Sequence, residues 1–490
     1  MPDDASPSPL LSSTRFPSPS DTDPADSLSL LDMIGQAVGS VQSWKAESGR
    51  FDAHPSTGVD PDRIRAALSA FTDRLAGNYP FGHPRYAGQM LKPPHPVAIA
   101  AYTAAMCINP NNHALDGGPP TSHMEKEVVS DLAAMLDFPG DALGHLTAGG
   151  TIANLEALWV ARESHPDRSI AFSQDAHYTH QRMCGVLDVD AQTIPTDANG
   201  RIRVDALEEM LRAGSIGTVV VTAATTGLGT VDPIRDIVSL CHDKDVRVHV
   251  DAAYGGFFRL LALDDAETFE NFPAADFFAI QDADSVAIDP HKHGLQPYGC
   301  GAVLFRDPSV GAFYKHDSPY TYFTSDDLHL GEISLECSRA GAAAGALWAT
   351  LQALPLSPND GLGAILSACM RAARIWADAI RDSDALELYT TPQTDIVAYF
   401  PVPDNPSLSS LDAASQAVFD AAMQHDEEPV FLSLYRVPAE RLVDRFPHLE
   451  ADRDNASILR SVLMKPEHVT YASGIVAHLS SIAKEAIGPR

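Results

Sequence analysis

Apolar residues recur along the chain with two periods, and the change from one to the other marks out its parts. After a Ser-, Pro- and Asp-rich stretch (1–27), Leu31, Ile34 and Val38 share one face of a predicted helix. A second helix is predicted to start at Asp60-Pro61, an N-cap and first-turn pair, with Ile64, Leu68, Phe71 and Leu75 at helical spacing. Residues 78–96 are rich in Pro, Gly and His and read as a long ordered loop. From about 97 to 375, short apolar runs alternate with helical patterns. The runs are Ser169–Phe172, Gly217–Thr222, Arg247–Val250, Ser285–Ile288 and Gly301–Phe305, and the helical patterns include Ile152–Arg162 and Ile234–His242. Strands that are apolar throughout are buried on both faces, and their alternation with helices predicts a largely parallel sheet covered on both sides. Beyond 376, strand-like Ile396–Phe400 and Val430–Val437, with helical patterns at Ser410–Gln424 and from Pro466 onward, predict a smaller α+β unit. The expected division is therefore an acidic, disordered tail (1–27), a helical segment (28–96), a large α/β domain (97–375) and a small α+β domain (376–490). No internal repeat of fixed period is present.

Composition narrows the function classes. A chain of 490 residues with 45% apolar content can bury a large core, which argues against a disordered or fibrous protein. Its 65 acidic and 34 basic residues give a net charge of −31. Such a surface repels phosphate backbones and anionic lipids, so no nucleic-acid or membrane partner is expected. The apolar stretches Pro96–Cys107 and Ala340–Leu354 fall short of the roughly 18–20 residues of a membrane span. The acidity suits either ordinary solubility or adaptation to high salt. The six cysteines lie far apart with no C-x-x-C pair, so neither a disulfide framework nor a metal site is expected. Met1–Ser20 lacks the basic start and apolar run of a signal peptide, and a cytoplasmic protein with reduced thiols is expected.

Four segments carry candidate chemistry. Thr147-Ala148-Gly149-Gly150-Thr151 opens a helical pattern, and free N–H groups at such a terminus suit a phosphate, though Gly-Gly before a helix is also common as a plain tight loop. Asp175-Ala176-His177-Tyr178 follows a predicted strand, which puts His177 near the crevice where α/β sheets bind ligands. His249-Val250-Asp251-Ala252-Ala253-Tyr254-Gly255-Gly256 ends a buried strand in a carboxylate followed by small residues. A buried Asp is costly unless it meets a cation or several donors, and small residues let something flat approach the backbone. Asp289-Pro290-His291-Lys292-His293-Gly294 places a lysine, scarce in this chain, just after another strand. A desolvated lysine there is a nucleophile towards carbonyls. Each segment alone has an ordinary structural explanation. Together they supply a phosphate cradle, a ring-stacking residue, a carboxylate for a pyridine nitrogen and a Schiff-base lysine, the set that pyridoxal 5′-phosphate requires.

These segments resemble the signatures of the group II pyridoxal-phosphate-dependent amino acid decarboxylases. The resemblance runs from about Phe81 to Lys465, with weaker pieces at Asn109–His113, Ser334–Arg339 and Leu463–Glu467. It implies the aspartate-aminotransferase-like fold (fold type I) and a homodimer with active sites at the subunit boundary. It further implies that Lys292 bonds the cofactor aldehyde, Asp251 meets the pyridine nitrogen, His177 stacks on one ring face and Ala253 packs on the other. Gly150 and Thr151 would hold the phosphate with His291 near it, and Thr225 would line the site. A loop tyrosine would return a proton to the substrate carbon; Tyr320 is the first candidate and Tyr322 the second. The order Asp289-Pro290-His291-Lys292 with Gly294 and Tyr298 looks most like the microbial tyrosine/aspartate decarboxylase branch, which brings Tyr298 and Ser461 near the substrate. A tyrosine-like substrate is expected first and aspartate or glutamate second, an acidic side chain requiring a cation such as Arg339, Arg436 or Arg460. The alternatives are a carbon–carbon lyase of the same fold and a catalytically silent homologue.

Overall fold

The computed structural model describes residues 28–263, 269–315 and 334–487. A seven-stranded sheet forms the large domain in the order β1-β7-β6-β5-β4-β2-β3. Its strands are β1 (Leu143–Thr147), β2 (Ser169–Ser173), β3 (Ala191–Ile194), β4 (Ile216–Thr222), β5 (Arg247–Ala252), β6 (Ser285–Ile288) and β7 (Gly301–Phe305). Strands β3, β2, β4, β5 and β6 run parallel, and β7 is antiparallel to both β6 and β1. This mostly parallel sheet with its covering helices is the fold type I architecture. The uniform burial of β2, β4, β6 and β7 explains their unbroken apolar runs: helices cover both faces, so no polar face is required.

The second sheet has four strands in the order β10-β11-β9-β8, all antiparallel. They are β8 (Leu386–Leu388), β9 (Ile396–Pro401), β10 (Ser433–Pro438) and β11 (Asn455–Val462). Trp376, Val397, Tyr399, Leu459 and Leu479 form the core between this sheet and its helices. The helix Gly361–Arg381, capped by the Asp360 side chain on Gly361 N–H, runs through position 375, where the two domains were expected to meet.

The strand expected over Val430–Val437 starts only at Ser433. Val430 N–H bonds to Ala422 and Phe431 N–H to Arg85, so these residues tie the sheet to other segments and stay out of its ladder. Strands β1, β3, β8 and β11 were not announced by the pattern. β1 carries Gly144 and a buried His145, which break the apolar run; His145 Nε2 lies 2.7 Å from Glu156 Oε2 in the interior.

Two helices precede the large domain, Leu30–Glu47 and Pro61–Leu75, the second opened by the Asp60 side chain accepting from Asp62 N–H. Neither buries a residue; Leu31 is 79% exposed and Leu68 59%.

Candidate active site

The parallel strands end at one edge of the large sheet, and the four segments singled out in the sequence follow the ends of β1, β2, β5 and β6. They meet at a cavity of about 290 Å³ bordered by Gly150, Thr151, His177, Asp251, Ala253, His291 and Lys292, among others. This is where open α/β sheets bind ligands.

The turn after β1 delivers the helix Gly150–Ser164. Gly149 sits at φ +143°, a conformation that excludes side chains, and accepts from the N–H groups of Ile152 and Ala153. The N–H groups of Gly150 and Thr151 have no backbone partner among the described residues. A Cβ on Gly150 would stand 2.7 Å from Asp289 Oδ2, so only glycine leaves this corner open. Asn154 secures the first turn: its Nδ2 donates to Gly150 O at 2.7 Å, and its Oδ1 lies 2.8 Å from His249 Nε2. Burial pushes the His249 pKa down to about 3, so this histidine is neutral and donates to Asn154.

Asp251 is 6% exposed. Its Oδ2 accepts from His180 Nε2–H at 2.9 Å and its Oδ1 from Ala253 N–H at 3.1 Å. Burial pushes this carboxyl upward, but the hydrogen bond from His180 and the nearby Lys292 outweigh burial and hold it well below the usual carboxylate range. Lys292 Nζ lies 3.1 Å from Asp289 Oδ2, and His291 Nε2 lies 3.4 Å from the same oxygen. Asp289 Oδ1 is buried without a hydrogen-bond partner among the described residues. His177, with its Nδ1 2.7 Å from Thr179 Oγ1, borders the cavity half-buried, and burial lowers its pKa. Tyr254, also at the cavity, donates to Asp395 Oδ1 at 2.7 Å and so links the site to the start of β9.

Two expected residues, Thr225 and Ser461, do not border this cavity, and a third, Tyr298, stands at its rim. Thr225 is buried in the turn after β4, where its Oγ1 bonds to Thr230; its neighbours Ala224, at φ +75°, and Thr226 border the cavity instead. Ser461 lies within β11, its Oγ 3.0 Å from the Tyr399 hydroxyl, and does not border the cavity. Tyr298 stands at the rim of the site, 60% exposed, its ring 4.7 Å from that of His291 and within reach of the charges of Lys292 and Asp289. Tyr320 and Tyr322 lie outside the described residues. Sequence reasoning did not single out Asn154, Asp289 or His180 for roles of their own. The first signal for His180 is its spacing of three from His177, which puts both on one side of a helical turn.

The residues present fit pyridoxal 5′-phosphate: N–H groups without partners among the described residues at a helix start that only glycine leaves open, for a phosphate, and a carboxylate held in its ionised form and a lysine amine on one cavity. Residues 60–400 match the family model of the pyridoxal-dependent decarboxylase conserved domain. The L-tyrosine decarboxylase of Enterococcus faecium is 29% identical over 471 residues, covering 74% of this chain and 77% of that protein. A probable L-tyrosine/L-aspartate decarboxylase of Methanothermobacter thermautotrophicus is 30% identical over 317 residues, 64% of this chain and 82% of that one. The solved structure of Oryza sativa TDC with PLP and tryptamine superposes with a TM-score of 0.74 at 17% identity, covering 94% of this chain and 99% of that one. With well over half of its length in the family model, the chain belongs to the pyridoxal-dependent decarboxylase family and is a pyridoxal-phosphate-dependent amino acid decarboxylase.

Proposed function

We propose that the substrate is an L-amino acid with a tyrosine-like aromatic side chain, converted to its amine and CO₂. The convergence of Lys292 and Asp251 on one cavity carries the chemistry of this reading, and the likeness to relatives named for tyrosine supports the substrate class. In this reading Lys292 holds the cofactor covalently, Gly150 and Thr151 bind its phosphate through N–H groups with His291 beside them, and His177 and Ala253 flank its ring. Bound pyridoxal phosphate supplies an electron sink for the pair left behind when CO₂ departs. The chain decides which bond breaks, because walls that hold the α-carboxylate perpendicular to the ring select decarboxylation over loss of the α-hydrogen. Asp251 would set a negative charge towards the ring nitrogen, and Asp289 Oδ2, 3.1 Å from Lys292 Nζ, would orient the lysine side chain for its bond to the cofactor.

One observation favours aspartate or glutamate as the second reading. Arg460 is 6% exposed, with Nε and Nη2 lacking hydrogen-bond partners among the described residues, and it lies in the field of Tyr254. Arg339 is bound to Glu125, Leu146 O and Asn112 O and is committed to structure. Incubation with a panel of amino acids, reading amines by mass spectrometry, is expected to show tyramine-type products formed at least about tenfold faster than those from aspartate or glutamate. Faster release from an acidic substrate would reverse that order, and Arg460→Met would then cost roughly a hundredfold in kcat/KM. Cleavage of a phosphorylated amine without CO₂ release from any amino acid would instead indicate the carbon–carbon lyase.

The subunit arrangement is part of the same proposal. Leu31 and Trp44 on Leu30–Glu47 and Ile64, Leu68 and Phe71 on Pro61–Leu75 are exposed apolar residues that suit burial against a second copy of this chain. Light scattering is expected to give twice the 52.5 kDa chain mass. Leu68→Asp with Phe71→Asp is expected to shift that mass towards one chain; a wild-type monomer at micromolar concentration would refute the dimer.

A further inference from the structure

We infer that His180 is a positioning residue for the acid at 251, so that the turn leading into one helix carries both the histidine beside the cofactor ring and the histidine that aims the carboxylate at its nitrogen. The inference rests on the reading of Asp251 given above. His180 belongs to the helix Thr179–Leu187 and is completely buried. Its Nε2 is 2.9 Å from Asp251 Oδ2, and its Nδ1 is buried with no hydrogen-bond partner among the described residues. A carboxylate oxygen can only accept, so the proton sits on Nε2 and the ring spends its one donor on Asp251.

A histidine that merely filled space beside Phe172, whose ring is 5.9 Å away, would bury a polar ring where an apolar side chain costs nothing. The bond does more than fill space. Asp251 is gripped on one oxygen by His180 and on the other by Ala253 N–H, which stops the carboxylate from rotating. His180 N–H in turn bonds to His177 O at 3.1 Å, so a shift of either histidine is transmitted to the other. With its charge kept on and its plane fixed, the carboxylate is prepared for a cationic ring nitrogen before the cofactor arrives.

The experiment compares dissociation constants of the apoenzyme for pyridoxal phosphate and for the analogue with carbon in place of the ring nitrogen, a binding readout independent of turnover. Wild type is expected to prefer pyridoxal phosphate by roughly tenfold or more, the worth of a hydrogen bond to a charged group. His180→Phe, which keeps the ring and removes the donor, is expected to shrink that preference below about threefold, and His180→Gln, which restores an N–H donor, to recover most of it. A wild type that does not distinguish the two compounds would overturn the reading of Asp251 itself. A wild-type preference that survives intact in folded His180→Phe would overturn the role of His180 alone. If His180→Phe does not fold, His180→Gln decides: retained preference supports the donor role and lost preference rejects it.

Discussion

Lys292→Ala is expected to lower kcat by roughly 10⁴-fold or more, the scale on which removing a covalent catalyst acts. The side chain is placed for that role by the turn after β6, which brings its Nζ to 3.1 Å from Asp289 Oδ2 at the edge of the cavity. Three signatures should accompany the loss. The absorption band of lysine-bound pyridoxal phosphate should disappear, borohydride should no longer fix the cofactor to the chain, and the cofactor should wash out on gel filtration. The fold should survive, because Lys292 is one-fifth exposed and Asp289 retains His291 within 3.4 Å. Lys484→Ala serves as the control: that lysine pairs with Asp384 at the surface, 58% exposed, and its loss should leave band and turnover unchanged. A Lys292→Ala enzyme that keeps its colour and borohydride labelling would remove the covalent step from this account.

The parts of the site that the sequence disclosed are those where chemistry and backbone geometry coincide within a few residues. Gly149 and Gly150 are glycines because one adopts a positive φ and the other faces Asp289 across a gap too narrow for a Cβ, so the cradle is legible as a motif. Asp251 and Lys292 stand at the ends of apolar strands, and a charged residue there is conspicuous because the strand around it is buried. Thr225 was misplaced because its segment turns sharply. With Ala224 at φ +75° and Thr225 bonded to Thr230, the neighbours at 224 and 226 face the cavity and the threonine between them does not. A one-residue difference of that kind depends on turn geometry, which side-chain pattern alone does not encode.

Contacts between distant segments were hidden for a different reason. Asn154 meets His249 across 95 positions of sequence, and His180 meets Asp251 across 71. Nothing in either segment's local pattern specifies the partner; the pairing appears only when parallel strands bring their ends together. The amphipathic spacing of Leu68, Phe71 and Leu75 shows the converse. The helix is legible, and the structure forms it, yet what its apolar face packs against is not written in the spacing and is not found among the described residues.

Asp251→Ala should produce the second large effect, a loss of roughly 10³-fold in kcat, since it deletes a preorganised charge from a low-dielectric site. The apoenzyme should also lose stability. His180 Nε2–H and Ala253 N–H both donate to this carboxylate and would be left without an acceptor, costing about 1–3 kcal/mol for a buried unsatisfied donor. The pH dependence follows from the direction of the shift. The folded-state carboxyl is held below its ordinary value of 3.8, so its contribution to stability is complete above that value and is lost as pH falls below it through the folded value. The gap in Tm between wild type and Asp251→Ala should therefore be constant through the neutral range and narrow in acid, while Asp251 stays ionised wherever the enzyme works. Asp251→Asn separates the two roles. Its amide oxygen can still accept from His180, so much of the apoenzyme stability should return, but a neutral amide cannot hold a cationic ring nitrogen and turnover should remain low. Recovery of turnover in Asp251→Asn would mean that the carboxylate serves only to brace His180 and Ala253, and the electronic role would then belong to another residue.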